Sequence, residues 1–316
     1  MSKVGLVLGG GGVTGASWEL AALFAIEMAT GWDPNSADVV VGTSAGAYVG
    51  ALVREDALHL DSIARPTDTD VDIAMRIRSH VYRRAKVNGF GRWLRHGVIP
   101  GLRRPGLTMM LGCPAPYDPA GISDWLAEQA GPGVDGWPPR PTVIVAFDIS
   151  AKKRVAFGTH EAPEVTLREA VAASSAIPVL FHPYEINGSA YVDGGVASGT
   201  HADLVLGNPE PLDLVIVLAP LAAEKTRNGA ALYEQLLDHA GWQRLSEEVE
   251  LIEQAWPDSK VLVLRPGEDV LSVMRSNPMR SDAAVSSFIG SLESMHGMLS
   301  HPSVWSILET HLGTAA

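Results

Sequence analysis

The sequence predicts an α/β fold with a mainly parallel sheet and helices on its faces. Three observations carry the prediction. Two strand–turn–helix units fill roughly the first fifty residues, the first strands are continuous apolar runs rather than alternating ones, and further apolar runs are separated by long helical patterns.

"KVGLVL" (3–8) ends in glycine, as expected of a strand buried on both faces. From Gly15 to Thr30, Trp18, Ala21, Ala22, Ala25, Ile26 and Ala29 share one helical face. "ADVVVGTSAGAYVGALV" repeats the plan of strand, glycine-flanked turn and helix. "PTVIVAFDIS" (141–150) and "RVAFGTH" (154–160) read as strands, and Thr166 with Glu169 stands at capping-box spacing before a helix. "EINGSAYVDGG" places Asn187-Gly188 between alternating residues, the pattern of a tight hairpin. "DLVIVLAP" (213–220) and "KVLVLRP" (260–266) are two more strands, with helical patterns at roughly 222–256 and 281–312. The chain therefore reads as one domain over 1–316, with a helical insertion at about 56–138.

That insertion differs in composition from the rest. Nine of the chain's 24 basic residues, and none of its 36 acidic ones, lie between 73 and 112. Ile73, Ile77, Val81 and Ala85 make an i+4 row there, interrupted by Arg84, and Phe90, Trp93 and Leu94 follow among arginines. Two readings stay open: a cap-like segment touching an anionic membrane, or a helix packed on the acidic body with its cations in water. The net charge of -12 argues against nucleic acid as a partner. A single cysteine, Cys113, excludes an internal disulfide framework and suits a reducing, cytoplasmic setting. Cys113 itself is expected to be inert. The N-terminus lacks the pattern of a signal peptide, and the longest apolar run, "LVIVLAPLAA", is too short to span a bilayer. Membrane contact, if any, would be peripheral.

The chemistry concentrates in two glycine-rich turns. "VLGGGGVTGAS" (7–17) lacks the lysine of a phosphate-binding P-loop. Gly10, Gly12 and Gly15 do satisfy the dinucleotide pattern G-x-G-x-x-G, but the second strand ends in "GTSAG" where an acidic residue should meet the ribose. That second turn sets Ser44 in G-x-S-x-G, flanked by Gly42 and Gly46, between a strand and a helix. Such a turn displays a nucleophile, while a structural reading makes Ser44 only a helix cap. Consecutive glycine amides nearby could receive the negative charge that develops on a carbonyl oxygen. The α/β-hydrolase order would place the serine after several strands, so that fold does not fit. Asp193, followed by Gly194 and Gly195 in "YVDGG", is the candidate base; read structurally, it is a turn aspartate.

Four blocks in order carry a family resemblance: the glycine-rich loop, G-x-S-x-G about thirty residues on, "ASSAIPVLFHP" (173–183) and "DGG" (193–195). Across residues 3–220 this resembles the patatin-like phospholipases. The resemblance implies a three-layer α/β/α sandwich and a Ser-Asp dyad without histidine, acting on ester-linked acyl chains of lipids; no cofactor or metal is expected. By position, Ser44 would be the nucleophile, Asp193 the base, and the amides of Gly10, Gly11 and Gly12 the oxyanion hole. Read from the residues themselves, Pro178 and Pro183 either end a helix or shape the wall of the site, and His201, eight residues beyond Asp193, is either a third catalytic member or a histidine on the surface or behind the site. The family loop usually reads D-G-G-G-x-[RK]-G, so Gly9 and Thr14 depart from it. "VASGTHADL" likewise replaces the asparagine-rich continuation more usual in the plant enzymes. Three functions follow from these residues: a serine lipid acyl hydrolase, a lipid-binding or regulatory protein with little turnover, and a dinucleotide-binding protein. Oligomeric state has no signal in the sequence.

Overall fold

The computed structural model describes residues 2–59, 67–103, 107–222, 232–274 and 277–314. Arg104 of the basic insertion and the start of the 222–256 helical pattern lie outside the described residues. Strands β1 (Val4–Leu8), β2 (Val39–Thr43), β7 (Leu214–Leu218) and β8 (Lys260–Leu264) form the parallel part of one sheet with β3 (Thr142–Asp148). With β5 (Tyr184–Ile186) and β6 (Ser189–Asp193), the order is β5-β6-β3-β2-β1-β7-β8, and β4 (Lys153–Phe157) lies on the other edge of β3. Strand β1 pairs with β2 and β7, and every residue of the three is buried, which accounts for their unbroken apolar runs.

Alternate side chains divide between two cores. Leu6, Leu8, Val40, Ile144 and Ile216 pack under α1 (Gly12–Thr30), α2 (Ala45–Arg54) and α5 (Leu167–Ser174). Val7, Val41, Val145 and Val217 face the opposite way, against the 3-10 turn Ala202–Gly207 and α6 (Leu232–Ala255). Helices on both faces make the three layers expected. Between β2 and β3 the insertion supplies α3 (Asp70–Val81), an irregular helical stretch from Phe90 to Arg103, and α4 (Ala120–Ala130). After β8 come α7 (Glu268–Met274), α8 (Ala284–Leu299) and α9 (Pro302–Leu312).

Three local expectations need adjustment. The apolar row of the insertion stops at Val81, where α3 ends, so Arg84 does not interrupt a helix; it bridges to Tyr117 instead. The 281–312 pattern is broken at His301, because Pro302 has no N–H to continue a helix and takes its first position. Helix α1 begins at Gly12 rather than Gly15.

The antiparallel additions to β3 position the site. β2 occupies one edge of β3 only as far as the Thr43–Val145 pair. The hairpin of β5 (Tyr184–Ile186) and β6 (Ser189–Asp193) takes up the rest, with Asp193 opposite Ala146. Its turn uses Asn187 and Gly188, both at positive φ, as the I′ geometry requires. Consecutive residues of β3 thus bring the end of β2 and the end of β6 side by side.

Candidate active site

Ser44 sits where β2 becomes α2, with φ 55° and ψ -117°. No cap hydrogen bond forms from its side chain, so the helix-cap reading of Ser44 does not hold. A non-glycine residue in this region is strained by about 1 to 3 kcal/mol, and it persists only when its surroundings fix it. They do so in three ways. The Ser44 N–H donates to Ser174 Oγ at 2.8 Å, and that hydroxyl donates to Val145 O at 2.6 Å. The Gly46 N–H donates to Gly9 O at 3.0 Å, clasping the two glycine turns together. A Cβ at Gly46 would lie 2.1 Å from Leu8 O, and one at Gly42 would lie 2.6 Å from Gly46 O, so only glycine fits on either side of Ser44.

From this elbow the Ser44 hydroxyl donates to Asp193 Oδ2 at 2.5 Å. Asp193 Oδ1 accepts the Gly195 N–H at 2.7 Å, and the Asp193 N–H is held by Ala176 O at 3.0 Å. Burial pushes the Asp193 carboxyl up from 3.8 to about 6, against the opposing pull of the Ser44 hydroxyl and the Gly195 N–H. A carboxylate near 6 is a stronger base than an exposed aspartate and still ionised at neutral pH.

The glycine loop narrows the oxyanion candidates. The Gly10 N–H donates to Gly199 O at 2.7 Å and is therefore committed to the fold. Among the described residues, the amides of Gly11 and Gly12 meet no acceptor, and neither does that of Ala45. Gly12 has φ +62°, and a side chain there would collide with Pro278 O. Ala45 was not among the residues nominated from the sequence. Its signal was available, because the residue after the nucleophile in an elbow presents its amide at the helix N-terminus.

Thr14 is fully buried. Its N–H donates to Pro278 O at 3.0 Å, and its hydroxyl reaches Pro278 O and Met274 O. The position that carries a cation in the family loop here ties α1 to the segment after α7.

A cavity of about 350 Å³ opens beside these groups. Gly12, Ser44 and Ala45 border it; Ile77, Trp125 and Phe288 are among its predominantly apolar walls. Tyr48 and Leu52 follow Ser44 at i+4 and i+8, so the cavity tracks α2 for about 12 Å at 1.5 Å per residue. The Tyr48 hydroxyl is not left bare: it donates to Gln129 Oε1, and its ring stacks on Trp125. Of the two prolines, Pro178 falls in the turn between Ile177 and Phe181, whose side chains line the cavity, while Pro183 leads into β5. Cys113 is half-buried, and burial pushes its thiol up, which suits an inert residue.

His201 lies behind the dyad. Its Nε2 sits 3.1 Å from Gly194 O, and burial lowers its pKa from 6.5 to about 4, so it is neutral and donates from that nitrogen. It does not touch Ser44 or Asp193 through any hydrogen bond among the described residues. With Asp203 and Glu248 it gathers donor atoms within 4.8 Å of one another. Those donors are already engaged: Arg154 pairs with both Asp203 oxygens, and Glu248 accepts three hydrogen bonds from the chain. The cluster carries no metal assignment.

No curated protein matches the sequence. Among solved structures, VipD from Legionella pneumophila is 12% identical with a TM-score of 0.40, the match covering 98% of this chain and 67% of that one. Human GIVD cytosolic phospholipase A2 is 10% identical with a TM-score of 0.44, covering 98% of this chain. The chain spans only 63% of that human enzyme. The family model described as Patatin-like phospholipase matches residues 119–206, which include Asp193, Gly194 and Gly195. That match bears out the resemblance over the later two of the four motif blocks, "ASSAIPVLFHP" and "DGG".

Proposed function

We propose that the protein is a serine lipid acyl hydrolase working through a Ser44–Asp193 dyad, built on one α/β domain whose insertion covers the cavity. The observation that carries the proposal is the 2.5 Å hydrogen bond to a buried carboxyl from a strained, elbow-displayed serine that borders an apolar cavity. Asp193 takes the hydroxyl proton as Ser44 Oγ bonds to the ester carbonyl carbon. The carbonyl oxygen becomes an oxyanion, met by the amides of Gly11, Gly12 and Ala45 at the N-termini of α1 and α2. Collapse of that intermediate breaks the bond to the alcohol, which leaves with the proton from Asp193. Water then gives a proton to Asp193 and attacks the acyl-enzyme, releasing the fatty acid and restoring the serine. The apolar cavity suits an acyl chain. A dinucleotide fits it poorly, since no acidic side chain among the described residues borders it to meet a ribose.

Hydrolysis of p-nitrophenyl acyl esters tests the reading. Ser44→Ala and Asp193→Asn should fold and lose turnover, and activity kept by either variant refutes the dyad. A folded protein that binds lipid but turns over no ester would favour the lipid-binding alternative.

The substrate is expected at an anionic lipid surface. No described helix is long and apolar enough to cross a membrane. Val87, Phe90, Leu94, Ile99 and Leu102 are exposed together in the insertion, and Arg84, Lys86 and Arg95 stand among them with no ion pair to a described residue. Apolar side chains for the acyl boundary and cations for anionic headgroups are what an interfacial helix offers. Arg83 and Arg92 are spent on Asp118, Asp124 and Glu185. The triple change of Arg84, Lys86 and Arg95 to Glu should therefore abolish sedimentation with anionic vesicles while sparing ester turnover; equal binding would remove this surface from the account.

A further inference from the structure

A buried carboxylate on the far face of the sheet remains unexplained by the dyad. Glu248 lies in α6, beside Leu245 and Ile252 of the second core, with the sheet between it and the cavity. An acidic side chain there costs desolvation, and burial does push its carboxyl up. The cost is offset by three donors from one loop. Ser198 Oγ donates at 2.5 Å, Thr200 Oγ1 at 2.6 Å and the Ala202 N–H at 2.8 Å. Ser198 Oγ also receives the N–H groups of Thr200 and His201.

The loop so gathered reaches the site at two points. Gly199 O accepts the Gly10 N–H at 2.7 Å, and a Cβ on Gly10 would stand 3.4 Å from Ser44 Cβ. His201 Nε2 holds Gly194 O at 3.1 Å, one residue from Asp193, while Arg154 reaches His201 Nδ1 at 3.4 Å and binds Asp203 with both nitrogens. We propose that Glu248 is the positioning residue of this site: it fixes the 198–202 loop, which in turn fixes the glycine loop beside Ser44 and the turn that carries Asp193.

The proposal rests on the dyad reading for its catalytic consequence but not for its structural one. In Glu248→Gln an NH2 group replaces one acceptor oxygen, and donors then face donors. Hydrogen exchange is expected to quicken in two separate peptides, one covering 5–15 and one covering 194–203. Ester kcat should fall about ten- to a hundredfold, the order expected when reacting groups shift by an ångström or less. KM should change little, because the cavity lies across the sheet. Ile252→Val, one turn further along α6, is the control: it should lower Tm with neither effect. Thr200→Val removes one donor at nearly constant shape and is read the same way if Glu248→Gln does not fold. Exchange confined to 194–203, or kcat and exchange no different from Ile252→Val, overturns the proposal. Should the wild type turn over no ester, the dyad reading fails while the coupled exchange still decides the role of Glu248.

Discussion

Replacing Asp193 with asparagine should remove turnover and at the same time make the protein more stable above neutral pH. Asp193 is only 4% exposed, and its carboxyl titrates at about 6 instead of 3.8 because burial disfavours the charged form more than its two donors favour it. A carboxyl whose folded pKa lies above its unfolded one favours the fold while it is protonated. That contribution is complete below pH 3.8 and is lost as pH rises through about 6. The gap of roughly two pH units corresponds to about 3 kcal/mol at 1.36 kcal/mol per unit. Asparagine keeps the shape and the acceptor for the Gly195 N–H, and carries no charge to desolvate. Part of the gain is lost with the strong bond from Ser44, so about 1 to 3 kcal/mol should remain at pH 8. Urea unfolding of wild type and variant at a series of pH values from 4 to 8 reads it directly. The neutral, buried His201 costs both proteins stability as pH falls from 6.5 towards about 4, and it cancels in the difference. A difference that does not vary with pH, or an asparagine variant less stable than wild type at pH 8, would refute the reasoning.

Ester kcat/KM should fall about tenfold per pH unit below a limb near 6, since Asp193 must be ionised to take the proton; a limb near 4 would show a carboxyl that is not buried. Ser44→Gly should be more stable than Ser44→Ala by about 1 kcal/mol, because both lose the bond to Asp193 and only glycine relieves φ 55°. Equal Tm values would mean the elbow stores no strain. Thr14→Arg, which introduces the basic residue of the patatin-like loop pattern, should cost about 3 to 5 kcal/mol by burying an unpaired charge and breaking the tie to Pro278. An active variant with an unchanged Tm would contradict that packing.

The parts of the site legible in the sequence are those where backbone geometry dictates residue type. Gly42 and Gly46 have no room for a Cβ, so the serine between them announces itself, and Gly194, where a Cβ would meet Val145 O at 2.5 Å, marks Asp193 in the same way. The parallel strands were equally plain, since burial on both faces leaves no polar alternation to misread. What escaped depends on partners distant in the chain. That Gly10 spends its amide on Gly199, and that Thr14 anchors Pro278, follows from contacts across 189 and 264 residues that no local pattern encodes. Glu248 looks like one more acid on an exposed helix until the fold sets it under the 198–202 loop. The insertion's cations also divide only in three dimensions, Arg83 and Arg92 being paired and Arg84, Lys86 and Arg95 exposed.

Covalent labelling with a fluorophosphonate asks most directly whether Ser44 is an activated nucleophile. At pH 8 a single adduct should form on the peptide containing Ser44, vanish in Ser44→Ala, and form more slowly in Asp193→Asn and as pH falls through about 6. A folded protein that takes up no label, or one that is still labelled after Ser44→Ala, would contradict the account.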